Sequence, residues 1–289
     1  MLLRRTLRVD PIPEGTKGRI ELDDSFVVGE GRYSVEWRLR DSFGRHCSAE
    51  WKIEAKPKRS ERNVKMTLRP GDVDDSLVYI FRPELGIADP DMGRPLRLKV
   101  FLNFDVRRRR RAARVRVWEF MPRIAVLRSL SRHPRLGQFA LVVYSLDEQD
   151  VFHSHDLQSY LEFRPLRDAL KGLSPATVSL EQLGRDAERD FFGEMLTREI
   201  SAEDSIDAYV FVGPDGRFGE KLSRGARETL SGVEKPVFFL NTSARPWRGL
   251  VGNAVGVLDG KEYKVWDPKK LSAGVAKLVA LLDEEQETP

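Results

Sequence analysis

The chain has 289 residues, 40% of them hydrophobic and 33% charged, a globular composition with room for one large or two medium domains. Its 49 lysines and arginines face 45 aspartates and glutamates, a net charge of +4, which excludes a chain that is basic throughout; any polyanion contact must come from a local cluster. A single cysteine, Cys47, excludes an intrachain disulfide, and the lack of an apolar run of about 18 residues excludes a transmembrane helix.

The opening "MLLRRTLRVDPIPEG" has no apolar core of signal-peptide length and no small-residue cleavage site. As written the chain reads as cytoplasmic. Leu3 and residues 6–9 nevertheless look like a strand already under way. A start inside a longer chain would make the protein periplasmic or secreted.

Residues 1–82 read as a small β-sandwich-like domain. Tyr33, Val35, Trp37 and Leu39 alternate with polar residues, "DSFGRH" supplies a turn around Gly44, and Cys47, Ala49, Trp51 and Ile53 resume the alternation. Period two over both segments predicts a hairpin with one face buried. Residues 18–31 offer one or two further strands, residues 64–68 another, and "SLVYIF" (76–81) the last. Cys47 reads as a half-buried strand residue. Residues 83–95, rich in Pro, Gly and Asp, read as a linker.

The period changes over residues 96–289. Residues 96–104 predict a strand and 118–132 a helix, with Pro122 tolerable in its first turn. Residues 138–146 predict an apolar strand of the buried, parallel type. Asp147, Glu148 and Gln149 make a tight turn, and "DVFHSH" returns as an edge strand. Helices follow at 156–172 and 179–200, the second with a Ser179/Gln182 capping box. Residues 207–213 and 236–241 are buried strands around a helix at 217–231. Residues 246–256 make a helical or irregular connection. "AVGVLDG" and "KEYKVWD" end the sheet, and a closing helix starts with Asp267 as N-cap and Pro268 at its first position. This order, β-α-β-β-α-α-β-α-β-α-β-α, predicts an α/β, doubly wound, mostly parallel Rossmann-type sheet with one antiparallel edge strand.

Three stretches carry a family likeness. The first strand runs into "NFDVR", "ALVVYSLDEQDVF" makes a second strand and hairpin, and "AYVFVGPDGRFG" makes a later strand followed by an Asp-Gly loop. With the element order, they resemble the von Willebrand factor A (vWA) fold from residue 96 onward, and the whole chain resembles the VWFA-related bacterial proteins, in which a β domain precedes such a domain. The resemblance implies a Mg²⁺ site at the first strand's end, built from an Asp-x-Ser-x-Ser motif, a further aspartate and a threonine. Laid residue by residue onto this chain, the motif falls on Asn103, Asp105 and Arg107. Asp215 takes the further aspartate position, and Thr177 is the nearest threonine. Asn and Asp offer oxygen, but a guanidinium only donates. The expectation is a degenerate motif and no cofactor.

Arg107, Arg108, Arg109, Arg110 and Arg111, with Arg114 and Arg116, form a block of like charge. Such blocks self-repel and read first as a solvated loop. As a binding element they suit an acidic protein or a phosphate at the carboxyl end of a strand. Phe104 and Trp118 flank the run without interrupting it, which argues against a base-stacking platform and so against nucleic acid. Trp247 in "PWRGL" is a candidate anchor for a partner as well as a core residue. His153 and His155 share one strand face, a spacing metal sites use, yet on an edge strand they read as solvent-facing. "GPDGRFG" lacks the end of a phosphate-binding loop and reads as a turn.

The expectation from these features is a non-enzymatic protein–protein interaction or scaffolding protein, with the loops at the carboxyl ends of the parallel strands as its binding surface and an unspecified protein as its partner. Two alternatives stay open: polyanion or nucleic-acid binding through residues 107–116, and a metal-dependent enzyme using Asn103, Asp105 and Asp215.

Overall fold

The alternation from Tyr33 to Leu39 and from Cys47 to Ile53 does build a hairpin. In the computed structural model β2 (Gly31–Arg40) pairs antiparallel with β3 (His46–Ala55), placing Tyr33 opposite Ile53, Val35 opposite Trp51 and Trp37 opposite Ala49. Asp41 closes the turn by accepting from the backbone N–H of Phe43 and Arg45, each at 2.9 Å. The structure describes residues 2–4, 6, 24–56, 68–83, 93–105, 119–172, 186–201, 205–216, 221–243 and 248–287. Those up to Ile80 belong to one compact unit and those from Phe81 to another.

In the first unit β1 (Phe26–Val28) pairs antiparallel with β4 (Val73–Asp75), and α1 (Ser76–Ile80) follows. Two expectations are corrected here. Residues 76–80 are a helical turn, not a strand: the Asp75 carboxylate accepts from the N–H of Val78, a local cap that outweighs the β propensity of Val and Tyr. Cys47 lies on β3 but is exposed. It sits near the turn end of the ribbon opposite Leu39, itself 37% exposed. The strand expected at 64–68 lies outside the described residues except for Leu68.

The second unit is α/β, with a six-stranded sheet in the order β10-β9-β8-β5-β6-β7. Its strands are β5 (Leu96–Asn103), β6 (Leu136–Ser145), β7 (Asp150–Gln158), β8 (Ala208–Gly213), β9 (Val237–Asn241) and β10 (Lys261–Lys264). Among the described residues of this sheet only the β6–β7 pair is antiparallel. The helices between and after them are α2 (Met121–Ser131), α3 (Arg164–Gly172), α4 (Ala187–Ser201), α5 (Arg224–Leu230), α6 (Leu250–Val257) and α7 (Pro268–Glu287). The element order matches the sequence expectation, and α7 starts as expected, with the N–H of Lys270 donating to Asp267 at 2.9 Å.

Strands β6, β8 and β9 are mostly apolar on both faces because helices cover both, whereas β5 carries Arg97, Lys99 and Asn103 on one face. On one face Phe101, Tyr144, Phe211 and Phe239 pack with Phe192 and Leu196 of α4, Leu230 of α5 and Val251 of α6. Helices α2 and α7 pack together on the other. Two boundaries differ from expectation. Strand β7 continues to Gln158, where a helix was expected from 156. Residues 254–257 finish α6 rather than forming a strand, since a short apolar run does not by itself distinguish the two.

At the amino ends of β5 and β8, Asp207 accepts from the N–H of Arg97 at 2.7 Å and from Arg94 Nη2 at 2.8 Å. Burial pushes its pKa up, but the hydrogen bonds from Arg94 and Arg97 prevail and hold it below the usual value. Asp207→Asn is expected to cost about 1–2 kcal/mol at neutral pH. Because the folded pKa is depressed, the contribution is complete above the unfolded value of about 3.9 and is lost as pH falls through the lower folded value. Urea denaturation of wild type and variant across that window checks it: the gap between them closes toward low pH.

Candidate functional site

The chain enters the sheet at its centre through β5, moves outward to β7, and returns on the other side through β8. The loops after β5 and β8 therefore leave the sheet toward opposite faces, to α2 and α5 respectively. Open α/β sheets bind ligands at such a switch point, outside the carboxyl ends of the strands. Asn103, Asp105 and Asp215 all stand there.

Asn103 is the last residue of β5 and is 1% exposed. Its Nδ2 donates to the carbonyl of Pro214 at 3.1 Å, and its Oδ1 accepts from the N–H of Asp105 at 2.8 Å. The side chain thus ties the end of β5 to the loop after β8. Gly213 makes the approach possible. It has φ +136, and a Cβ there would lie 2.8 Å from the Asn103 carbonyl oxygen. Gly213→Ala is expected to destabilise the chain by about 2 kcal/mol, from strain and from pushing the two strand ends apart. A thermal melt checks the direction.

Asp105, half-buried, accepts on Oδ1 from the Ser145 hydroxyl at 2.7 Å and from the N–H of Asp147 at 3.1 Å. The Ser145 Oγ in turn accepts from the N–H of Glu148 at 3.0 Å. The Asp105 carbonyl accepts from Arg123 Nη2 at 2.5 Å. Arg123, on the first turn of α2, is 6% exposed, and its guanidinium lies 4.7 Å from the centre of the Phe120 ring. Burial pulls its pKa down to about 10 against the opposing pull of Asp105 and Glu119, so it stays charged at neutral pH. Tyr144 is fully buried nearby. Burial pushes its phenol well above the usual value; Asp105 and Asp215 add to this and Arg123 opposes it. The Tyr144 hydroxyl and Arg123 Nε and Nη1 are buried without a hydrogen-bond partner among the described residues.

Asp215, 4% exposed, sits under the start of α6. Its Oδ2 accepts from the N–H of Gly249 at 2.7 Å and its Oδ1 from the N–H of Gly252 at 2.5 Å, two of the donors a helix start leaves open. A Cβ at position 252 would stand 3.0 Å from both carboxylate oxygens, so glycine there allows the contact. Burial pushes the Asp215 pKa above its ordinary value, against the two N–H groups that lower it.

The three candidate ligands from the sequence therefore do come together at one end of the sheet, but each has oxygen lone pairs committed to internal donors. Ser145, Tyr144, Arg123, Gly249 and Gly252 were missed in the sequence. A signal existed for Arg123, a charged residue beside the apolar Ile124, Val126 and Leu127 of one helix. Among the described residues no group of three His, Cys, Asp or Glu side chains is placed to hold a metal ion. Arg107, Arg108, Arg109, Arg110, Arg111, Thr177 and Trp247 lie outside the described residues. His153 and His155 are on β7, half-buried rather than facing solvent, with ring centres 5.7 Å apart.

No protein-family model matches the chain, and no curated protein matches it. No helix among the described residues is long and apolar enough to cross a membrane.

Proposed function

We propose that residues 96–289 form a vWA-type domain whose metal motif has been replaced by an internal hydrogen-bonded network, and that the protein is a non-enzymatic scaffold binding a protein partner. The binding surface is the set of loops at the carboxyl ends of β5, β6, β8 and β9. Residues 1–82 are the β-sandwich-like partner domain of such chains.

The strand order, with its single antiparallel edge strand after the second strand of the sheet, supports the fold assignment. One observation carries the functional reading. The Asn103, Asp105 and Asp215 oxygens accept from internal N–H and O–H groups, and the buried Arg123 guanidinium interacts with Asp105. Hard cations such as Mg²⁺ need several oxygen ligands in strict octahedral geometry. Here Asn103 Oδ1, Asp105 Oδ1 and both Asp215 oxygens already serve internal donors, and a second cation would meet Arg123.

Site-specific photo-cross-linking tests the reading. A cross-linker at exposed Asp150, at the carboxyl end of the sheet, is compared with one at exposed Glu234, at the amino end. The expected result is a discrete partner adduct from position 150 only, unchanged by chelator. Adducts that need added Mg²⁺, or that form equally at position 234, would contradict it.

A further inference from the structure

A second polar cluster lies away from the switch point, between β7 and α3. β7 is an edge strand, paired only with β6. His153 stands opposite Val143 and His155 opposite Leu141, so both rings leave the strand on the same face. Their centres are 5.7 Å apart with planes inclined by 56°. Both Nε2 atoms are buried, and neither has a hydrogen-bond partner among the described residues.

The tautomer of His155 follows from its other nitrogen. Nδ1 lies 2.8 Å from the carbonyl oxygen of Asp156. A carbonyl only accepts, so Nδ1 carries the hydrogen and Nε2 of the neutral ring presents a lone pair. This is the arrangement metal-bound histidines adopt, one nitrogen donating to a carbonyl and the other free for the ion. Left unpaired, a buried acceptor costs about 1–3 kcal/mol. The Nε2 of His153, buried and unpartnered among the described residues, is on the neighbouring ring, and in the tautomer with its hydrogen on Nδ1 it offers a second lone pair.

His153 also borders a cavity of about 670 Å³, lined by Phe152, Glu162, Arg164, Pro165, Asp168 and Ala169. The cavity leaves room for water on the open positions of an ion; Glu162 and Asp168 stand on its wall together with Arg164, and Asp168 pairs with Arg167 at 3.7 Å. Two imidazoles on one tetrahedral ion, with metal–nitrogen bonds of about 2.0–2.1 Å, place their ring centres about 5 Å apart. The observed separation of 5.7 Å is close to that value.

We infer that His153 and His155 chelate a borderline transition-metal ion, zinc in the first instance, through their Nε2 atoms, with water completing the shell on the cavity side. Imidazole nitrogen selects Zn²⁺, Ni²⁺ and Cu²⁺ over Mg²⁺. The site is independent of the Asp105 network and stands whether or not the scaffold reading does.

Calorimetry with ZnCl₂ on the tag-free full chain at pH 7.5 tests it, using wild type, His153→Ala, His155→Ala and the double variant. The expected result is one equivalent of zinc, weakened at least about tenfold in each single variant and lost in the double variant, with MgCl₂ giving no heat at this site. Wild type without zinc binding, or a double variant that binds as wild type does, overturns it. Cu²⁺ electron paramagnetic resonance on wild type gives a second measurement that needs no variant to fold. Hyperfine structure from two imidazole nitrogens supports the site, and an all-oxygen spectrum contradicts it.

Discussion

Arg123→Ala is expected to lower the unfolding free energy by about 4 kcal/mol, because removing one member of a buried charged network strands the other. The substitution takes away the 2.5 Å hydrogen bond to the Asp105 carbonyl and the cation over Phe120. It also removes the buried positive charge that interacts with Asp105. Two controls separate charge from volume. Arg123→Met keeps most of the packing and is expected to cost less, about 2 kcal/mol. Arg123→Met with Asp105→Asn removes both charges and is expected to recover part of that loss. Urea denaturation at constant m-value reads all three. An Arg123→Ala variant within about 1 kcal/mol of wild type would show that the guanidinium does not hold this end of the sheet together.

Asp215→Ala is expected to cost about 3 kcal/mol. The N–H groups of Gly249 and Gly252 lose charge-assisted acceptors inside a buried site, and α6 loses its cap. Burial works against the ionised carboxylate, as its raised pKa records, so the cost stays below what two such hydrogen bonds alone would suggest. Asp215→Asn offers one oxygen to two donors and turns its NH₂ toward the other, so it recovers at most part of the loss. If Asp215 were instead a ligand of a bound divalent ion, the loss would appear only with that ion present. The expected loss is the same with and without chelator.

Much of this fold is legible in the sequence. β6, β8 and β9 are short, mostly apolar runs between turn residues, and helices on both faces explain why they do not alternate, while β5 alternates at its start through Arg97 and Lys99. The α7 start is legible because its cap, Asp267, is local. Residues 250–257 are harder to read, because the acceptors for the first N–H groups of α6 come from Asp215, more than thirty residues earlier. "AVGV" alone has no means of showing this. β7 runs on through Asp156 and Gln158 because an edge strand tolerates polar residues that a central strand would not. Residues 76–80 look like a strand by propensity and turn helical through the Asp75 side chain.

The site shows the same division. Asn103, Asp105 and Asp215 can be found because they stand where apolar strands stop. Their occupation cannot, since Ser145, Arg123, Gly249 and Gly252 come from β6, α2 and the start of α6, and only the switch in strand order brings these together. The question of whether an arginine takes the place of a cation arises in the sequence at Arg107. Among the described residues the buried guanidinium beside Asp105 belongs to Arg123, from the following helix.

In the proposed reading the oxygens at the end of β5 serve the protein's own donors rather than a metal ion. Titration calorimetry of MgCl₂ and MnCl₂ into wild type and Asp105→Ala tests it most directly. No binding heat is expected in either protein at millimolar ion. Saturable heat in wild type that disappears in Asp105→Ala would contradict it and return the site to metal-dependent adhesion.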